Sequence, residues 1–300
     1  MLALSSLLQP QVFRSGVELV RIPISLSQVD QQAAPASGLG PADFSISEDG
    51  VRQDIALFER ESVPLRVCIL LDISHSMLTT SASRLALGGY GHVISLLAPS
   101  DEVSVVTFAM ANDVVMPWRS AREAAGQQLK LISEGGTAIV DAIKAGMRQI
   151  DKASPGRSLI LVITDGGENA SAAALNDVVA TRRQSETEIH AFKVAGTPGE
   201  SPVIRLRIRG RPGAKPKPQP TVDVLPQLVA DSGGLIYDIS SEAEVPALAK
   251  NFVDDISSRY TLAYTPRKPF DGKYRRIVVE TSAAGYRVRH RSGYLASQVK

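Results

Sequence analysis

Apolar residues fall along this chain in two rhythms. Segments 66–72, 102–109, 113–118, 158–164, 188–194 and 234–239 are short and rich in Val, Ile and Leu. Several are near-continuous apolar runs, as expected of strands covered on both faces of a parallel sheet. Between them apolar positions recur at helical spacing: Ile139, Ile143, Met147 and Ile150 form one stripe, and Val245, Leu248, Phe252 and Ile256 another. Gly233-Gly234 supplies a stop after the segment around Leu225 and Leu228. The short link between 102–109 and 113–118 predicts a hairpin, with 113–118 as an antiparallel edge strand. This alternation predicts an α/β fold with a doubly wound, mostly parallel sheet.

The ends of the chain keep the other rhythm. Residues 17–29 and 51–59 alternate in the manner of half-buried strands, and Asp49-Gly50 marks a turn before Val51. Near the C-terminus, Tyr260–Tyr264, Tyr274–Glu280 and Tyr286–His290 are punctuated by Pro266, Asp271-Gly272 and Gly285, with no helical pattern. The expected product is an accessory β-sandwich built from both the N- and C-terminal segments, each too short to bury a core alone. The expected organisation is an arm over 1–15, half a sandwich over 16–63, the α/β domain over 64–257 and the second half over 258–300. The chain would enter the inserted domain near Pro64 and leave it near Ser258. One segment breaks the alternation: Ile204-Arg205-Leu206-Arg207-Ile208-Arg209, followed by the Pro-rich stretch to Pro218. Its alternating arginines suit a hairpin with one basic face that docks an acidic protein or anionic surface, or a solvated inserted loop; the loop is preferred.

Composition narrows the function classes. With 300 residues, 44% apolar and a net charge of +2, the chain is neither a polyelectrolyte nor a disordered tail, and nothing in it asks for nucleic acid. The single cysteine, Cys68, lies inside an apolar run, which makes it a buried thiol and excludes an intramolecular disulfide. Met1–Leu8 is apolar, but no basic residue precedes it, so it lacks the three-part form of a signal peptide. No other stretch approaches the roughly 18–20 apolar residues that cross a bilayer. Phosphate-cradling glycine motifs and H-E-x-x-H are absent from the sequence, which removes support for nucleotide binding and for a zinc hydrolase.

Candidate chemistry gathers at oxygen donors. Asp72, Ser74 and Ser76 stand in Leu71-Asp72-Ile73-Ser74-His75-Ser76, Thr137 in Gly135-Gly136-Thr137, and Asp165 in Ile163-Thr164-Asp165-Gly166. Each carboxylate ends an apolar run that reads as a strand. A hard cation such as Mg²⁺ takes an octahedron of oxygens and few protein carboxylates, and this set suits it. Asp and Ser after a strand also suit helix capping. His75 reads as a solvated loop residue, since a hard cation prefers oxygen. A Ser-His-Asp triad reading of Asp72, Ser74, Ser76 and His75 is poor, because near-consecutive side chains on one turn seldom line up as a triad does. Glu168 reads either as a base on metal-bound water or as a solvated or helix-leading acid beside Asn169 and Ser171, the latter preferred.

These motifs resemble the von Willebrand factor A (vWA) family, whose metal-ion-dependent adhesion site has the pattern D-x-S-x-S, then T, then D-G. The match extends through Gly135–Ile143 and Ile163–Asn169. Phe13–Val20, Asp43-Phe44, Glu48-Asp49-Gly50 and Arg291-Ser292-Gly293-Tyr294 are similar to a bacterial, acidobacterial-type subfamily of vWA-related proteins. The resemblance implies a Rossmann-like sheet of order 3-2-1-4-5-6 and a single metal lined by Asp72, Ser74, Ser76, Thr137 and Asp165, some through water. It implies Mg²⁺, with Mn²⁺ or Ca²⁺ as substitutes, and a protein partner that presents an acidic residue. It also implies an export signal before the Phe13–Val17 segment, so residues 1–11 are expected to be its remnant and the protein to be extracytoplasmic. The chain departs from the family at His75, where a small residue, commonly Gly, is usual, and the rim is expected to be bulkier there.

The implied strand order sets the strands that end in Asp72 and Asp165 side by side where the winding reverses, which is where open α/β sheets bind ligands. Two carboxylates about 4 Å apart at an effective dielectric near 20 repel by roughly 4 kcal/mol, and a divalent cation relieves this. Neutral hydroxyls add ligands without cancelling the cation's charge, leaving attraction for a partner's carboxylate. The expectation is a metal-dependent binding module and not an enzyme, with no catalytic residue or organic cofactor assigned. The rivals are a hydrolase with Glu168 as base and a scaffold with a purely structural metal.

Overall fold

A computed structural model describes residues 19–28, 38–60, 64–78, 80–129, 135–151, 157–185, 187–195, 222–257 and 259–297. The expectations for residues 1–11 and for the basic, Pro-rich segment 204–218 lie outside the described residues. On the N-terminal side stand β1 (Val20–Gln28), β2 (Phe44–Glu48), β3 (Val51–Gln53) and β4 (Leu57–Arg60). The α/β region follows with β5 (Leu65–Asp72), α1 (Thr80–Leu96), β6 (Glu102–Phe108), β7 (Asn112–Ser120), α2 (Ala121–Ala124), α3 (Ile139–Asp151) and β8 (Arg157–Thr164). It continues through α4 (Leu175–Arg182), β9 (Glu188–Val194), α5 (Leu225–Ser232), β10 (Ile236–Ile239) and α6 (Val245–Ser257). Last come β11 (Arg259–Tyr264), β12 (Tyr274–Thr281), β13 (Tyr286–His290) and β14 (Gly293–Leu295).

The central sheet has the order β10-β9-β8-β5-β6-β7, so the winding reverses between β5 and β8 as expected. All its neighbours pair in parallel except β6 and β7, which are antiparallel and leave β7 on the edge. Pro117 is tolerated there because an edge strand can spare an N–H, and the pairing slips between Val103 and Val106. Every residue of β5 is buried, because helices cover both faces. Val67, Ile69 and Leu71 pack with α1, α2 and α6, while Cys68 and Leu70 pack with α3, α4 and α5. The stop after α5 is where Gly233 takes the left-handed conformation (φ 83°), and an added Cβ would meet the His290 carbonyl carbon at 2.7 Å. The final strand of this sheet therefore begins at Ile236, not at the expected Gly234. Among the described residues no helix is long and apolar enough to cross a membrane.

The terminal segments form two four-stranded antiparallel sheets, of order β13-β1-β11-β4 and β14-β12-β2-β3. They share one core in which Ile22 and Ile24 meet Ile46, Leu262, Ile277 and Val279. Each sheet mixes strands from both ends of the chain: β1 pairs with β11 from Val20↔Tyr264 onward, and β2 pairs with β12. Residues 51–59, expected as one β-rich stretch, are two strands in different sheets. β3 pairs with β2, and β4 pairs with β11, so the chain crosses the sandwich at 54–56. Inside the sandwich the buried Glu48 carboxylate accepts hydrogen bonds from the hydroxyls of Tyr264 (2.6 Å) and Tyr294 (2.8 Å). Those shared bonds meet the requirement that a buried carboxylate be hydrogen-bonded.

Candidate metal centre

Asp72 is the last residue of β5, and Asp165 directly follows β8, the strand beside it. Three loops are stitched together around them by backbone bonds. The Ile73 N–H donates to Phe108 O (2.9 Å), the His75 N–H to Gly135 O (3.2 Å) and the Ala138 N–H to Ala109 O (2.9 Å). The Asp72 carboxylate is almost fully buried. Its Oδ1 accepts from the Ser74 N–H (2.8 Å) and its Oδ2 from the Thr164 hydroxyl (2.5 Å). The Ser74 and Ser76 hydroxyl oxygens lie 3.1 Å apart, with Ser74 buried and Ser76 exposed.

Burial pushes the Asp72 carboxyl up to about 6, against the hydrogen bonds from Thr164 and Ser74, and the charge of Asp165 adds to the rise. Two carboxylates therefore feel each other at the reversal point of the sheet. Lys193, at the end of β9 and packed beside Gly166, is engaged by Asp223 at 2.6 Å. Half-buried Asp165 accepts from the Gly167 N–H at 3.3 Å. Thr137 is buried, and its backbone is clamped to Asn169: the Thr137 N–H donates to Asn169 Oδ1 (2.9 Å), and the Asn169 N–H donates back to Thr137 O (3.0 Å).

A hard cation fits this donor set, which offers two carboxylates, adjacent neutral hydroxyls and lone pairs left over on Asp72. Among the described residues no group of three or more His, Cys, Asp or Glu could hold a metal, so ligation here would depend on the hydroxyls. His75 is not the solvated residue expected: it is half-buried, and its Nδ1 is enclosed without a hydrogen-bond partner among the described residues.

Sequence reasoning passed over four supporting residues or roles. Thr164 orients Asp72, and Asn169 fixes Thr137. The Asp141 carboxylate accepts from the N–H groups of Ala172 (2.8 Å) and Ala173 (3.0 Å). Glu168 is a half-buried strut, which sets aside the solvated half of the expected reading and keeps the helix-leading half, since its carboxylate serves the first turn of α3. Its Oε1 accepts from the N–H groups of Ala170 (2.9 Å) and Ser171 (2.8 Å), and its Oε2 from the Val140 N–H (3.0 Å) and the Ser171 hydroxyl (2.7 Å). Thr164 left a signal in the sequence, because a polar residue closing an apolar strand must find a buried partner.

The family model for the von Willebrand factor type A domain matches residues 67–212. Among solved structures, the chain is similar to a von Willebrand factor type A protein from Catenulispora acidiphila, at 14% identity over 86% of this chain and 72% of that one, with a TM-score of 0.50. It is also similar to BatB from Bacteroides thetaiotaomicron, at 21% identity over 65% of this chain and 100% of that one, with a TM-score of 0.47. No curated protein matches it.

Proposed function

We propose that the chain carries a von Willebrand factor type A domain, a reading supported by the family model's match to residues 67–212, and that it is a metal-ion-dependent protein-binding module of the adhesion type. In this proposal Asp72, Ser74, Ser76, Thr137 and Asp165 hold Mg²⁺, directly or through water, with Mn²⁺ or Ca²⁺ able to replace it. The bound cation supplies an electrophilic position for an acidic side chain of a partner protein. The observation that carries the proposal is the pair of strand-end carboxylates, with Asp72 raised by burial and by Asp165 and flanked by hydroxyls instead of bases. The vWA family often binds a divalent cation in this place, which supports the assignment. Within the same proposal, the flanking segments assign the chain to the bacterial, acidobacterial-type subgroup, and 64–257 forms the domain inserted between sandwich halves 16–63 and 258–300.

Hydrolysis with Glu168 as the base is disfavoured by hydrogen-bond accounting. An ionised carboxylate offers about four in-plane lone-pair sites, and the four donors named above take them. The test is calorimetric titration of the full chain with MgCl₂, repeated with Asp72→Ala and Asp165→Ala. Heat of binding is expected in the parent and lost in both variants. No heat in a folded parent would refute the proposal.

A further inference from the structure

β14 covers only Tyr274–Arg276 of β12, so the next N–H groups on that side of the strand must find other acceptors. The Ile277 N–H donates to Ser292 O (3.0 Å), and the Val279 N–H donates to the ring Nε2 of His290 (3.1 Å). A side chain thus stands where a strand carbonyl would. Val279 lies in one sheet of the sandwich and His290, at the end of β13, in the other, so this bond closes a corner between the two sheets. His290 Nδ1 lies 2.8 Å from Arg291 O. A carbonyl can only accept, so the ring proton sits on Nδ1 and Nε2 is a bare acceptor.

The same short segment grips the α/β domain. Arg289 pairs with Asp255 of α6 at 3.1 Å, and the Ser292 hydroxyl lies 3.4 Å from the Asp231 carboxylate at the end of α5. Between them the His290 carbonyl packs so closely on Gly233 that only glycine fits there. Gly234 in turn lies against Ile189 O at the start of β9, so the grip is at the amino edge of the central sheet, opposite Asp72 and Asp165.

Charged groups surround the ring. Arg287 and Arg289 stand on β13 itself, Arg291 follows and donates to Arg21 O on β1, and Arg276 and Glu280 are exposed on β12. The less exposed carboxylates are engaged: Asp231 by Arg182 and Arg183, Asp255 by Arg289, and Glu188 of β9 by His190. Burial therefore dominates and lowers the His290 imidazole below its ordinary value, opposed by the bond to the Arg291 carbonyl.

We propose that His290 is an acid-sensitive latch: neutral, its Nε2 holds Val279 and keeps residues 289–292 seated on the α/β domain, and a solvent proton taken up at Nε2 sets two N–H groups against each other and frees the segment. The sandwich then loosens against α5 in acid while the central sheet stays folded. Because the folded imidazole titrates below the unfolded value near 6.5, the latch is fully closed above about pH 6.5 and weakens as pH falls from there.

The test is amide hydrogen exchange of the full chain from pH 7.5 to pH 5, corrected for the intrinsic pH dependence of exchange. Protection at Val279 should fall by roughly tenfold between pH 6.5 and pH 5. Gly234, whose N–H donates to Val229 O at 3.1 Å, should follow it, and Ile69 in β5 should not. His290→Gln keeps a carbonyl acceptor but cannot titrate, so its protection at Val279 should be flat with pH. In the parent, NMR of the ring nitrogens should report a protonated Nδ1 and a bare Nε2 at pH 7.5. Flat protection at Val279 in the parent, a fall shared by His290→Gln or by Ile69, or a ring proton on Nε2 would each overturn the proposal. A fall at Val279 without one at Gly234 would overturn the coupling to the α/β domain.

Discussion

The Glu168 carboxylate accepts a hydrogen bond from the Val140 N–H at 3.0 Å, joining the loop after β8 to the first turn of α3 across 28 residues of sequence. An acid there satisfies one of the orphan N–H groups of a helix N-terminus and complements its dipole. The same carboxylate organises Ala170 and Ser171. The loops that carry Thr137 and Asp165 are thus tied by one side chain.

Glu168→Ala should therefore destabilise the fold, by roughly 2–4 kcal/mol in urea denaturation. Glu168→Gln should cost nearly as much, because an amide turns an NH₂ toward donors that need an acceptor. Amide exchange at Val140 should accelerate in both. Esterase, phosphatase and peptidase screens should stay blank with Mg²⁺ present. A Gln variant as stable as the parent, or turnover abolished by Glu168→Ala and Asp165→Ala, would count against this account.

Metal should stabilise the chain. A ligand at about 100 times its Kd contributes roughly 2.7 kcal/mol, so Mg²⁺ or Mn²⁺ should raise the melting temperature and EDTA should reverse the shift. Asp72→Ala and Asp165→Ala should melt cooperatively without responding to metal, and Thr137→Ala should respond partially. Identical melting curves with excess metal and with EDTA would refute this.

Without metal, the stability difference between the parent and Asp72→Asn should depend on pH and move in favour of Asn as pH rises, on top of a pH-independent cost, because the Asn NH₂ must face either the Ser74 N–H or the Thr164 hydroxyl. The Asp72 carboxyl titrates at about 6 in the folded chain against a reference of 3.8, so between these values the folded state binds more protons than the unfolded one. Parent stability then falls as pH rises from 3.8 to 6 and stays reduced above that. Asn does not titrate. The pH-dependent part of the difference in EDTA should amount to at most about 3 kcal/mol between pH 4 and neutrality. Urea denaturation at several pH values reads this directly, and a difference independent of pH would contradict it.

The mixed sheets make a covalent test of the split sandwich simple. Ser45 and Glu280 are register partners on β2 and β12, and directly opposed Cα atoms lie about 4.5–5.5 Å apart. Ser45→Cys with Glu280→Cys, in a Cys68→Ala background, should form an intramolecular disulfide on mild oxidation. A chain of residues 62–258 should remain soluble, whereas deletion of 265–300 should cause aggregation through unpaired edges. Failure of the paired cysteines to crosslink within one molecule would contradict the arrangement.

Much of this was legible before any coordinates. The apolar runs ending at Asp72 and Thr164 read as strands covered on both faces, and the stripe from Ile139 to Ile150 reads as an amphipathic helix. α1 was not placed by pattern, because Gly88 and Gly89 thin its apolar face and Gly91 adds a third poor helix former on the exposed side. Gly89 is explained only in three dimensions: an added Cβ would stand 3.0 Å from the Phe192 ring. β14 is too short to signal itself. The bonds from Thr164 to Asp72 and from Glu168 to Val140 span 92 and 28 residues, and no local periodicity reports such pairs. They follow from strand order, which the resemblance supplied.

Glu48 lies 216 residues before Tyr264 and 246 before Tyr294, the two hydroxyls that satisfy it. During synthesis at about 5–20 residues per second, β1 and β2 leave the ribosome roughly 10–50 s before the strands that complete their sheets. The buried residues Ile22, Ile24 and Ile46 spend that interval without Leu262, Ile277 and Val279, the C-terminal half of their core. The nascent chain therefore carries β1 with neither of its sheet neighbours, and β2 with only β3, for most of its elongation, and a holding chaperone would find its target there.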